Sequence, residues 1–297
     1  MENILSFYYN LNIDSINKIN NNYYFNYQNN NYVFHMYERH IKEIEEIYEL
    51  NEYLRSLNIP VYEIIITKEN SLLVEYNKNY YVLMKIPKIK NRTITYNDLK
   101  INIPINKEYK LIDKSNWSNL WQTKIDYIEK EFFGIKNKYQ EISKDINYYI
   151  GLWENALSYY EDNVIKNTPK SLSIRRLNID TDILTILNPL EFVIDHKERA
   201  LGDYLKSFVM NKNYTKDQIK DMVLKFKLNK NNIMILISRI LFPSYYFDKY
   251  ESIINDKANE ISIKEINNKN VIELINVIYD IYKNYNIPII YWIKKEE

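Results

Sequence analysis

Cysteine is absent from this 297-residue chain, which removes thiol nucleophiles, cysteine-held zinc, iron–sulfur clusters and disulfide staples together. Glycine is nearly absent too: Gly134, Gly151 and Gly202 are the only three. They cannot build a P-loop, a dinucleotide-binding fingerprint or a Gly-x-Ser-x-Gly nucleophile elbow. The only histidines, His35, His40 and His196, stand at no metal-ligand spacing. With 40 basic against 39 acidic side chains the net charge is +1, too weak a field to gather nucleic acid or anionic lipid, so neither is expected as a partner. The most apolar stretch, around Ile233 to Phe242, contains Ser238 and Arg239 and falls short of the roughly 20 residues of a membrane span. The opening Met1-Glu2-Asn3 lacks the basic and apolar regions of a signal peptide, and cytoplasmic synthesis is the expectation.

What is present is aromatic and amide-rich. The chain has 30 tyrosines, and its Asn, Ile and Lys content resembles the product of an AT-rich genome, so pairs such as Tyr8-Tyr9 read as compositional rather than as stacking platforms. Asn-rich punctuation around Tyr23–Tyr27 and Tyr32–Tyr37 predicts a hairpin. From Arg39 the apolar residues Ile41, Ile44, Ile47, Leu50, Leu54 and Leu57 fall at helical spacing until Asn58-Ile59-Pro60 stops them. Val61–Thr67, Leu72–Tyr76 and Tyr80–Ile86 read as three strands. The order β-β-α-β-β-β predicts a small antiparallel sheet with one helix on it.

The spacing predicts three parts: a β-rich lobe at 1–87, a connector or insertion at 88–114, and a helical lobe at 115–297. In the last part Trp117, Leu120, Trp121, Ile125 and Ile128 mark one helix, and Ile146 to Tyr160 another, with Trp153 as core. Ser171–Leu177 and Ile183–Leu187 read as short strand-like runs. Phe192-Val193-Ile194 is an apolar strand that delivers Asp195. Helical signals resume from Ala200, with Ser238–Phe247 as packing between helices.

A strand ending in Asp195, with Asp203 eight positions on at the start of a helix, is how metal-dependent phosphotransferases place a magnesium carboxylate and its structural support. The plainer reading of the same residues is a turn-capping Asp195 and an exposed Asp203.

Gly151-Leu152-Trp153-Glu154-Asn155-Ala156, then Asn188-Pro189 through Asp195-His196 with Arg199, then Ser238-Arg239-Ile240-Leu241-Phe242-Pro243-Ser244-Tyr245-Tyr246-Phe247 together resemble the CotS/YutH family of spore coat-associated proteins. That family looks related to the aminoglycoside and choline phosphotransferases. The resemblance covers most of the chain and implies an α+β, two-lobed protein-kinase-like fold: a small antiparallel-sheet N-lobe with one helix and a mainly helical C-lobe, its cleft near residues 86–90.

The resemblance also implies roles. The phosphate-covering loop falls on Gln28-Asn29-Asn30-Asn31, without glycine. The phosphate-gripping strand lysine falls at about His35. Its acidic partner falls on Glu45, Glu46 or Glu49; His35 and Glu49 are the cofactor-side candidates. The catalytic loop falls on Ile174-Arg175-Arg176-Leu177-Asn178-Ile179-Asp180-Thr181, where Arg176 stands in place of the general base. Asp195 remains as the metal candidate and Asp203 as the helix carboxylate that braces the loop; Asp180 is a second metal candidate only if the site is rearranged.

Loss of a general base alone costs about 10²–10⁴-fold in rate, and loss of phosphate positioning removes most of what phosphoryl-transfer catalysis consists of. The expectation is a catalytically degenerate protein with a scaffolding role in coat assembly. It would be made in the mother cell and deposited in the spore coat among other coat proteins, without a cofactor. The alternatives are an active small-molecule phosphotransferase with a rearranged site, using ATP and magnesium with Asp180 or Asp182 beside Asp195, and a nucleotide or phosphate sensor without turnover.

For Arg175 and Arg176, one reading has one side chain solvated and the other paired with an acid. The sharper expectation is a direct ion pair from one of them to Asp195 or Asp203, closing the site.

Overall fold

The computed structural model describes residues 1–100, 103, 105, 107–135, 137–165, 168–266 and 268–293. They form two units, one of residues 1–94, 106–113 and 180–193, the other of residues 95–105, 114–179 and 194–297. The stretch 88–114 is thus shared between them.

The first unit holds α1 (Glu2–Tyr9), β1 (Asn17–Ile19), β2 (Asn22–Tyr27), β3 (Asn30–Met36), α2 (Glu43–Ser56), β4 (Glu63–Ile65), β5 (Val74–Tyr76) and β6 (Asn79–Lys85). The sheet runs β1-β2-β3-β6-β4, with β5 also on β6, and every pairing is antiparallel. Both faces of the sheet are covered at its centre. Phe34 faces Leu83 and Val33 faces Met84 across β3 and β6, and both sets are buried.

On one face Phe25, Phe34, Tyr81 and Leu83 pack with Leu5 and Tyr9 of α1. Tyr9 meets Phe34 edge-on at 6.3 Å, so this tyrosine is core rather than compositional noise. α1 adds a second helix to the layer. α2 buries Ile44, Ile47, Leu50 and Leu54, and its buried Asn51 donates to the Tyr62 carbonyl at 2.8 Å.

Glycine plays no part in the turns. Positive φ occurs only at non-glycine residues among those described, seven of them asparagines: Asn10, Asn20, Asn29, Asn58, Asn70, Asn77 and Asn286. In the β2–β3 hairpin Tyr27 pairs with Asn30, leaving Gln28 (φ 47°) and Asn29 (φ 58°) as a two-residue turn. Positive φ at both central residues matches the right-handed strand twist.

The strand expected at Ile183–Leu187 is a correction: Ile183–Ile186 is a single helical turn, α5. A short apolar run does not distinguish strand from helix by periodicity. Here Thr185 donates back to the Asp182 carbonyl at 3.0 Å, and Ile183 to the Arg92 carbonyl at 2.8 Å.

The second unit holds α3 (Trp117–Ile135), α4 (Gln140–Asn163), β7 (Lys170–Ile174), α6 (Glu198–Asn211), α7 (Lys216–Leu224), α8 (Lys230–Leu241), α9 (Ser244–Ile254) and α10 (Lys269–Ile281). β8 (Phe192–His196) pairs with β7, and the division between the units falls within it. α8 is the central helix, buried at every position from Asn232 to Leu241, with Arg239 among its buried residues paired to Asp203. Phe242 stacks on Trp121 at 4.5 Å and meets Trp153 edge-on at 4.8 Å. Ser238–Phe247 is therefore packing between helices, as its composition predicts. No helix among the described residues is long and apolar enough to cross a membrane.

Candidate functional site

Asp195 lies near the end of β8, a strand buried at all its positions, and its side chain is 0% exposed. Both oxygens are occupied. Oδ1 accepts the His196 backbone N–H at 2.7 Å, and Oδ2 accepts Arg199 Nη1 at 2.5 Å. Arg199 sits in the first turn of α6, four residues on, which brings it back over the strand end. Its Nη2 donates to the Arg175 carbonyl at 2.9 Å. The guanidinium therefore ties the candidate carboxylate to the loop after β7. Beside it, Tyr160 Oη lies 2.7 Å from His196 Nε2, and the His196 ring meets Trp117 edge-on at 4.8 Å.

One helical turn further on, Asp203 is held by two cations. Arg239 grips it with both prongs, Nε to Oδ1 at 2.9 Å and Nη2 to Oδ2 at 2.7 Å, and Lys206 Nζ lies 3.2 Å from Oδ1. Burial works against its charge, but Arg239 and Lys206 outweigh that and hold the carboxyl down at about 2. Burial lowers the Lys206 ammonium to about 8 against the pull of Asp203. That ammonium is also bonded to the Phe242 carbonyl at 3.0 Å and Ser244 Oγ at 3.2 Å. The triad pins α6 to α8 and the start of α9.

The arginine expectation is corrected here. Arg175 and Arg176 are both exposed, and neither guanidinium pairs with Asp195 or Asp203 among the described residues. Ile174 ends β7 as a buried residue and the chain then turns outward. The neutralising cations are Arg199 and Arg239. The signal for Arg199 was its four-residue spacing from Asp195, while Arg239 has no local signal because it comes from a helix 36 residues away in sequence.

The remaining candidates belong to the other unit. His35 is half-buried on β3; its Nδ1 lies 2.7 Å from the Met36 carbonyl. Burial lowers its pKa, partly offset by that carbonyl and by Glu191 and Glu38. No hydrogen bond or ion pair joins it to Glu45, Glu46 or Glu49 among the described residues. Glu49 instead pairs with Lys107 at 2.5 Å. Glu46 accepts three successive backbone N–H groups, from Lys110 at 3.0 Å, Leu111 at 2.9 Å and Ile112 at 3.0 Å. The acidic face of α2 is thus spent on holding residues 107–112. Asp180, exposed, belongs to this same unit, whereas Asp195 and Asp203 belong to the second.

These residues do not fit a magnesium ion as placed. Each Asp195 oxygen already accepts a hydrogen bond, one of them from a guanidinium whose positive charge opposes a divalent cation beside it. No cluster of three or more potential ligands occurs among the described residues. Nor does the Gln28-Asn29 turn provide the glycine-rich backbone that covers phosphates.

The chain is 9% identical to the aminoglycoside phosphotransferase of Alicyclobacillus acidocaldarius, with a TM-score of 0.61 over 96% of each chain. It is 13% identical to spectinomycin phosphotransferase, with a TM-score of 0.57 over 95% of this chain and 93% of that one. To amicoumacin kinase it is 9% identical, with a TM-score of 0.56 over 95% of this chain and 92% of that one. At such identities the likeness establishes the kinase-like fold alone.

The endospore coat-associated protein YutH of Bacillus subtilis (strain 168) is 25% identical over 249 residues, covering 73% of this chain and 72% of that protein. A family model described as "Spore coat putative kinase YutH" matches residues 2–276. A kinase-like fold whose strand-end Asp195 is closed by its own helix, matched over nearly its full length by that model, belongs to the spore coat YutH family.

Proposed function

We propose that this protein is a catalytically silent, kinase-like component of the spore coat, acting there as a scaffold. The observation that carries the reading is Asp195, the carboxylate to which the family resemblance assigns the magnesium role, which is buried and bonded on one oxygen to Arg199 and on the other to the His196 N–H. Arg176, which the resemblance sets in place of the general base, and the tight Gln28-Asn29 turn support the same reading. The coat association rests on the name of the Bacillus subtilis relative, an endospore coat-associated protein. Synthesis in the mother cell, deposition in the coat and contact with other coat proteins follow from that likeness.

The test is a melting experiment with and without millimolar ATP and magnesium. Ligand at one hundred times its dissociation constant would add about 2.7 kcal/mol, a shift easily resolved. The expected result is no shift. A magnesium-dependent rise abolished by Asp195→Ala would overturn the reading and restore an active phosphotransferase.

A further inference from the structure

Glu198 is a buried charge candidate that the site above does not use. It stands in the first turn of α6, next to Arg199, with its side chain 0% exposed. Neither carboxyl oxygen has a hydrogen-bond partner among the described residues. The Lys197 ammonium lies 3.9 Å from Oε1, beyond hydrogen-bond reach, and is itself partly in water. The other charged group acting on it is Asp195, whose negative charge discourages a second one. Arg199 is turned to Asp195, while the other charges of the helix, Asp203 and Lys206, are paired with each other and with Arg239. Burial of this carboxylate outweighs the pull of its own backbone N–H and of Lys197 and favours the neutral form.

We propose that Glu198 is a proton-held latch. With its proton it stays buried and the first turn of α6 keeps Arg199 on Asp195; the proton is released to water when that turn opens, freeing Asp195 from Arg199. Adjacency carries the coupling, because Glu198 cannot reach water from the first turn without moving the residue after it. The inference does not depend on whether Asp195 ever meets a metal, so it stands apart from the scaffold reading.

The direction with pH follows from linkage. Burial, the largest influence, raises the carboxyl to about 7 in the closed state against 4.5 in the open one. The closed turn is therefore fully favoured below about pH 4.5 and loses ground as pH rises to about 7. The opening equilibrium climbs about tenfold per pH unit in that window and levels off above it.

Hydrogen exchange of the peptide spanning residues 194–204, corrected for the intrinsic pH dependence of exchange, reads the opening directly in the full chain. In the native protein the opening of residues 197–201 should increase by about two orders of magnitude between pH 5 and pH 8. In Glu198→Gln, which carries the neutral shape permanently, it should stay flat. Equal pH profiles in the two proteins, or a pH-independent turn in the native one, would overturn the proposal.

Infrared spectra of the native protein keep the test decisive should the variant not fold. A carbonyl band of a protonated carboxylic acid should persist at pH 6, where exposed acids are ionised, and vanish by pH 8.5. Its absence at pH 6 would overturn the proposal equally.

Discussion

Gly202 lacks a side chain at the one place where Arg239 passes: a Cβ built on it would lie 2.8 Å from Arg239 Cγ and 3.2 Å from its Cβ. Those are the stem atoms of the arginine, fixed by the buried α8, so they cannot swing aside as a flexible tip would. The glycine lets α6 and α8 approach until the guanidinium reaches Asp203, one residue along the same helix.

Gly202→Ala should therefore dislodge Arg239 and strand a buried carboxylate, at a cost of about 3 kcal/mol in urea denaturation. The signature is in acid. Because Asp203 is held at about 2 in the folded protein against 3.8 unfolded, its contribution is present above about pH 4 and is lost as pH falls toward 2. Gly202→Ala should flatten that limb. A variant with native stability and a native acid profile would show that the helices tolerate the extra atom.

Arg199→Ala should cost about 3 kcal/mol, since it leaves Asp195 buried without its cation. Adding Asp195→Asn should recover part of that loss, the mark of two coupled neighbours. Arg176→Ala, which removes an exposed side chain, should stay within about 0.5 kcal/mol of the native protein. A reversal of that order in denaturation midpoints would return the neutralising role to the loop arginines.

Glu46→Ala leaves the N–H groups of Lys110, Leu111 and Ile112 without their shared acceptor. The stretch lies partly in water, so the expected loss is small, about 1 kcal/mol. Local opening is the clearer readout: limited proteolysis with the cuts mapped by mass spectrometry should show faster cleavage within 107–113. Unchanged cleavage there would mean that other contacts hold the segment.

Where the chemistry of a residue is set by its near neighbours, the chain could be read directly. Short aromatic and β-branched runs between polar turns assigned Phe34 and Leu83 to a sheet, the spacing around Trp153 assigned a core helix, and the apolar run before Asp195 assigned a strand end. Where the partner is remote the reading failed or was silent. α1 offers only Leu5 and Tyr9 as buried residues, too few to establish a period, and its helical state depends on the sheet face beneath it. The four apolar residues of α5 suit either state. Opposite faces of a loop cannot be told apart without its register, and for that reason Arg175 and Arg176 looked able to serve Asp195. The Glu46 clamp joins residues more than 60 positions apart, a relation that only the folded chain reveals.

The turns have a consequence for how such a chain changes over time. A left-handed backbone position normally ties a protein to glycine, because other side chains crowd the preceding carbonyl there. Asparagine escapes part of that restriction by bonding its own neighbouring backbone, and here it occupies the bends at Asn20, Asn29 and Asn77 that set the hairpins. Codons for glycine begin with two guanines and those for asparagine with two adenines. A sequence driven toward adenine and thymine can therefore keep the bends of this sheet, and with them its strand register, through a residue whose codons suit that drift and with almost no glycine in the chain.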